Sequence, residues 1–114
     1  MSMSIINNKQ IIKLKKLFEE HFVRAFPHIS YLNDELQDIK GEIALYDGHI
    51  AGLISSYFKK GPINRDLIKV DSELEIRLQN FHPQNSQEEK SLKDLTNYKH
   101  KVDEIASTLL NLIG

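Results

Sequence analysis

The side chains here that could do chemistry are five histidines, His21, His28, His49, His82 and His100, among scattered carboxylates. A metal-binding bundle would pair them with acids at fixed helical spacing, as in the Glu-x-x-His arrangement of di-metal carboxylate proteins. No such tetrad occurs. His100 and Glu104 stand four apart and could share an ion, but Lys99, Lys101 and Asp103 around them read as solvated surface. His-Glu-x-x-His, Gly-x-Ser-x-Gly, the P-loop and the dinucleotide glycine string are all missing. Without Cys there is no thiolate site and no disulfide scaffold. No metal or other cofactor is expected. His21 and His49 border apolar stripes, where a hydrogen-bonded boundary role is ordinary for His. Tyr46, Tyr57 and Tyr98 lie on such stripes, with rings in the core and hydroxyls at its edge.

One pair stands out. Arg77-Leu-Gln-Asn-Phe-His82 sets an Arg and a His with four residues between them. This resembles the Arg-x4–6-His motif of HEPN-domain ribonucleases, small helical bundles that dimerise. The resemblance implies a phosphate-binding role for Arg77 and assistance to 2′-hydroxyl attack for His82. Leu78 follows the Arg, where HEPN motifs often carry a polar residue. The plainer reading makes Arg77 a helix-surface residue and His82 a loop residue before Pro83.

The elements that must position these groups read as helices. Ile29, Leu32, Leu36, Ile39, Ile43, Tyr46, Ile50, Leu53 and Tyr57 follow one another at spacings of three and four. An α-helix buries such a seam against other helices. Ser30 is its expected N-cap, and Lys59, Lys60 and Gly61-Pro62 end it. Gly41, Gly48 and Gly52 count against this helix at about 1 kcal/mol each. Asp47-Gly48 is also a hairpin-turn dipeptide. Gly41, Ala44, Gly48, Gly52 and Ser55 share the face opposite the seam, which suits close approach by another helix, within the chain or from a second copy.

The first helix is expected over 8–26. Asn7 and Gln10 cap it, Ile6 and Ile11 staple it, and Ile11, Leu14, Phe18, Phe22 and Ala25 form its stripe, with Leu17 alongside. Pro27 stops it. Asn64 is expected to cap a third helix carrying Leu67, Val70, Leu74, Leu78 and Phe81. Leu74, Ile76 and Leu78 also alternate with polar residues, as a half-buried strand would. Ser86 and Glu89 have capping-box spacing before a last helix striped by Leu92, Leu95, Tyr98, Val102, Ile105, Leu109 and Leu112.

The fold expected over 1–114 is a single all-α domain, an antiparallel four-helix bundle. The alternative is α+β, with the terminal helices on a small antiparallel sheet from residues 42–81. Fifteen Lys plus Arg against sixteen Asp plus Glu give no basic excess, which argues against a nucleic-acid partner. Lys9, Lys13, Lys15 and Lys16 read as a solvated helix face. No apolar run reaches the roughly 20 residues of a membrane span, and no secretory h-region opens the sequence, so a cytoplasmic protein is expected.

The expected function is therefore that of a non-enzymatic interaction module, such as an immunity or antitoxin-type inhibitor. The alternative is the HEPN-like, metal-independent ribonuclease. The long second helix would outrun the first by about 15 Å. That overhang points to a protein partner, most simply a homodimer, with Tyr46, Gly48, Ile50, Gly52, Leu53 and Tyr57 at the interface.

Overall fold

The computed structural model describes residues 2–23, 33–61, 63–69 and 72–113. Among the described residues four helices carry the fold: α1 (Ser2–Val23), α2 (Asp34–Lys60), α3 (Ser72–Asn80) and α4 (Ser86–Ile113). A single 3₁₀ turn, Arg65–Leu67, lies between α2 and α3. Among the described residues there is no strand, so the α+β alternative over 42–81 is set aside.

The long seam forms its helix. Asn33 caps α2, its side chain accepting from the Leu36 N–H at 2.8 Å. The helix thus starts at Asp34, after the expected cap Ser30, which lies with Ile29 and Leu32 outside the described residues. It runs straight through Asp47-Gly48. Leu36, Ile39, Ile43, Tyr46, Ile50 and Ile54 are all buried, and their combined burial outweighs the local turn preference of one dipeptide. At the other end Gly61 adopts φ 88°, which a residue with a Cβ resists, and its N–H closes the helix on the Tyr57 carbonyl at 2.9 Å.

α4 is the hub. It packs on α2, α1 and α3, and α2 packs on α3. Leu95, Val102, Ile105, Ala106 and Leu109 of α4 meet Leu14 and Leu17 of α1, the α2 seam, and Leu74 and Leu78 of α3 in one core. At the end of α2 the Phe18 ring of α1 meets Phe58 edge-on, with centroids 6.1 Å apart. The molecule is elongated, 56 × 26 × 21 Å, with a radius of gyration of 15.9 Å. A compact domain of this length would have about 13 Å. Two helices of about 40 Å account for the difference.

Several boundaries differ from expectation. α1 begins at Ser2 and passes through Asn7, so the Asn7/Gln10 cap is not formed. An interior Asn lowers helix stability only modestly, too little to end a helix. Residues 24–26 and Pro27 lie outside the described residues. Among the described side chains of α1, Leu14, Leu17 and His21 are buried and Ile11 and Phe18 half-buried; Phe22 and Ala25 of the expected stripe lie outside them.

Asn64 caps the 3₁₀ turn by accepting from the Asp66 N–H at 2.9 Å, and α3 starts only at Ser72. Leu67 is accordingly exposed and Ile68 buried in its place. The box that opens α4 is one residue earlier than expected. Glu88 N–H donates to Asn85 Oδ1 at 2.9 Å, while Glu88 Oε1 accepts from the Gln84 N–H at 3.2 Å. Asn85 is thereby the cap in place of Ser86.

α3 separates helix from strand cleanly. Leu74 and Leu78 are buried, whereas Ile76 is 56% exposed. Truncating Leu74 to Ala should destabilise by roughly 2–4 kcal/mol. Ile76→Ala should stay within about 0.5 kcal/mol of the parent, as surface changes do. Chemical denaturation of both variants checks this, because a half-buried strand would make the two losses equal.

Candidate functional site

Two polar networks cross the bundle, and consecutive residues feed both. On α2, Asp47 serves one and Tyr46 the other. On α4, Tyr98 serves one, and Lys99 and His100 serve the other.

The first network joins α1, α2 and α4. His21 Nε2 is hydrogen-bonded to Asp47 Oδ1. The Tyr98 hydroxyl donates to Asp47 Oδ2 at 3.2 Å and stands 3.2 Å from His21 Nε2. The His21 and Tyr98 rings lie with centroids 5.0 Å apart. An ionised carboxylate only accepts, so Nε2 carries the proton facing Asp47. Burial raises the Tyr98 phenol above its ordinary value, and the charge and hydrogen bond of Asp47 raise it further. Tyr98 thus stays a neutral donor. His21 is buried, more than its position beside the stripe suggests, because Asp47 and Tyr98 satisfy it.

The second network joins α2, α3 and α4 around a buried cation. Lys99 is 1% exposed. Its ammonium donates to Glu75 Oε2 at 3.0 Å and to Asp103 Oδ2 at 2.8 Å. Asp103 Oδ1 accepts from the Tyr46 hydroxyl at 2.6 Å. His100 Nε2 donates to Glu75 at 2.9 Å from the α3-facing side of α4. The reading of Lys99 and Asp103 as solvated surface is therefore corrected. An ammonium can be buried where two carboxylates offset its lost hydration.

Burial alone would lower the Lys99 ammonium, but its bonds and charge pairing with Asp103 and Glu75 outweigh that and raise it. For Glu75, burial raises the carboxyl, yet hydrogen bonds from His100 and Lys99 and their charges bring it below its ordinary value.

This cluster also bears on metal binding. Ligand atoms of Glu75, His100 and Asp103 lie within 4.8 Å of one another. The Lys99 ammonium, however, already bridges the two carboxylates, and a divalent ion would meet its charge. Glu104 faces elsewhere, accepting from Lys101 at 3.4 Å.

Arg77 donates to Glu42 at 2.8 Å and Asp38 at 3.0 Å on α2. Burial opposes its charge, but the hydrogen bond of Asp38 and the charges of Glu42, Asp38 and Glu35 together outweigh it and raise the guanidinium above its ordinary value. His82 is exposed in the loop after α3, its carbonyl accepting from the Gln84 amide at 3.2 Å. His49 Nε2 is exposed and lies 2.9 Å from the Leu67 carbonyl.

The residues expected at an interface divide. Tyr46 and Ile50 lie in the core, Leu53 and Tyr57 are half-buried, and Gly48 and Gly52 are exposed. The outer face of α2 also carries Leu45, which is 77% exposed. Among the described residues nothing lies within 4 Å of a Cβ built on Gly41, Gly48 or Gly52. The close approach that these glycines allow is not made among the described residues. Beside this face a groove of about 540 Å³ is lined by Leu45, His49 and Lys69 together with Glu42 and Glu73.

Sequence reasoning passed over Leu45 because it belongs to no buried stripe. It passed over Lys99 because a lysine between a tyrosine and a histidine gives no sign of its burial. Spacing did hold a signal, since Lys99 and Asp103 are an i,i+4 pair. No family model, curated protein or solved structure matches this chain.

Lys99→Met keeps the apolar stem but leaves Glu75 and Asp103 facing each other without a cation. It should destabilise by about 3 kcal/mol, measured by urea denaturation at neutral pH. The lowered Glu75 carboxyl has a definite sign in acid. Its stabilisation is complete above the ordinary value of 4.5 and is lost as pH falls through the lower folded value. Glu75→Gln should therefore flatten the acid limb of the stability–pH curve below about pH 4.5. An unchanged acid limb would remove Glu75 from that role.

Proposed function

We propose that this chain is a non-enzymatic protein-interaction module, a bundle of antiparallel neighbouring helices that presents the outer face of α2 to a protein partner in the cytoplasm. One observation carries the reading. Gly41, Gly48 and Gly52 lie inside a helix, where each costs about 1 kcal/mol relative to Ala. Among the described residues they gain no contact in return. An exposed leucine, Leu45, stands among them. Glycines on a helix face let a second backbone come close, and an apolar knob beside them gives that backbone something to pack on.

The polar networks support the same reading. Among the described residues every buried side-chain nitrogen and oxygen has a partner, so these groups hold helices together. An immunity or antitoxin-type inhibitor belongs to this class, since such a protein works by covering another protein's surface.

The test compares tagged wild-type protein with Leu45→Arg, using capture from the native host and mass spectrometry. Wild type should retain a stoichiometric protein, counting a differently tagged second copy of this chain as one. Leu45→Arg should lose it while keeping the helical circular dichroism and denaturation midpoint of wild type. Equal capture by both proteins would reject the α2 face as the docking surface.

A further inference from the structure

The residues on the outer face of α2 have a symmetric spacing. Asp34, Gly41, Leu45, Gly48, Gly52 and Lys59 fall on one strip about 60° wide at about 100° per residue. All six are exposed. From Gly41 through Leu45 and Gly48 to Gly52 the steps are four, three and four, which read the same in both directions. The strip is also centred on the helix, because α2 runs from Asp34 to Lys60 and its middle falls at Asp47. Its ends carry opposite charge: Asp34 and Glu35 in the first turn, Lys59 and Lys60 in the last.

Resting on the reading of this face as a docking surface, we propose that its occupant is the same face of a second copy, packed antiparallel across a two-fold axis between Tyr46 and Asp47. Such an axis sets Leu45 over the partner's Gly48, and Gly48 under the partner's Leu45. Gly41 then faces the partner's Gly52, and Asp34 the partner's Lys59. Each chain offers what the other needs, which is the reciprocity an isologous contact demands. The glycines let the axes come to the near end of the 8–10 Å range, close enough for each leucine to seat on backbone. Antiparallel packing also lays the positive start of one helix against the negative end of the other. A parallel pair would set Asp34 against Asp34 and Lys59 against Lys59, and would superpose the leucines.

The chain has no Cys, so disulfide trapping reads the geometry without background. Gly41→Cys and Gly52→Cys are made separately; at neither position does an added Cβ come within 4 Å of another group among the described residues. Mixed and gently oxidised, the two variants should link to each other well above the statistical share, because the facing positions fall within disulfide reach only in the antiparallel pair. Light scattering should give wild type twice the 13.2 kDa chain mass, and Leu45→Asp half of the wild-type value. Predominant self-linking of either cysteine variant would overturn the antiparallel arrangement. A single-chain mass across micromolar concentrations would overturn self-pairing altogether. If that mass came with Leu45-dependent capture of a different protein, the docking surface would stand and only its occupant would change. Loss of both would remove both readings.

Discussion

A buried ammonium governs how this bundle can be put together. Lys99 lies in the interior of the fold, and a lone charge there is strongly unfavourable. It is tolerable only while Glu75 comes from α3 and Asp103 from its own helix. Asp103 in turn takes the Tyr46 hydroxyl from α2. Any arrangement of the helices that buries Lys99 must bring all these groups together, so the ion sets a condition on three helices at once.

That condition supplies what the apolar core lacks. A seam of Ile and Leu at helical spacing packs almost as well after sliding by one turn, about 5.4 Å. The polar contacts do not survive such a slide. Tyr46 and Asp47 are neighbours on α2 and send their side chains to different networks, as do Tyr98 and Lys99 on α4. His21 draws α1 into the same frame through Asp47. Burial of apolar surface supplies most of the driving force, and the two networks choose one register among those it permits.

The all-helical architecture was legible because it rests on periodicity. Ile39, Ile43 and Ile50 on α2, and Leu95, Val102 and Ile105 on α4, announce their burial by spacing alone, and they are buried. Boundaries were less legible, since Asn33 and Asn85 each compete with a nearby Ser as cap and the choice depends on tertiary packing. The networks were least legible. Lys99 and His21 are polar residues that go inside because partners from other parts of the chain, Glu75 and Asp47, satisfy them, and a linear pattern does not display such partners. Leu45 was invisible for the converse reason, being an apolar residue on a face that the described residues leave open.

α3 differs from its neighbours in what holds it. Nine residues are too few for a helix that is stable alone, and only Leu74 and Leu78 are buried. Much of its attachment is ionic: Arg77 reaches Asp38 and Glu42 on one side, and Glu75 reaches Lys99 and His100 on the other. Asp38 is exposed and Arg77 and Glu42 are partly so, and dissolved ions weaken these ties more than they weaken the apolar α2–α4 seam. Of the four helices, α3 is thus the one whose attachment depends most on charge. Amide protons of α3 should therefore exchange faster as ionic strength rises, and more so than those of α2 and α4.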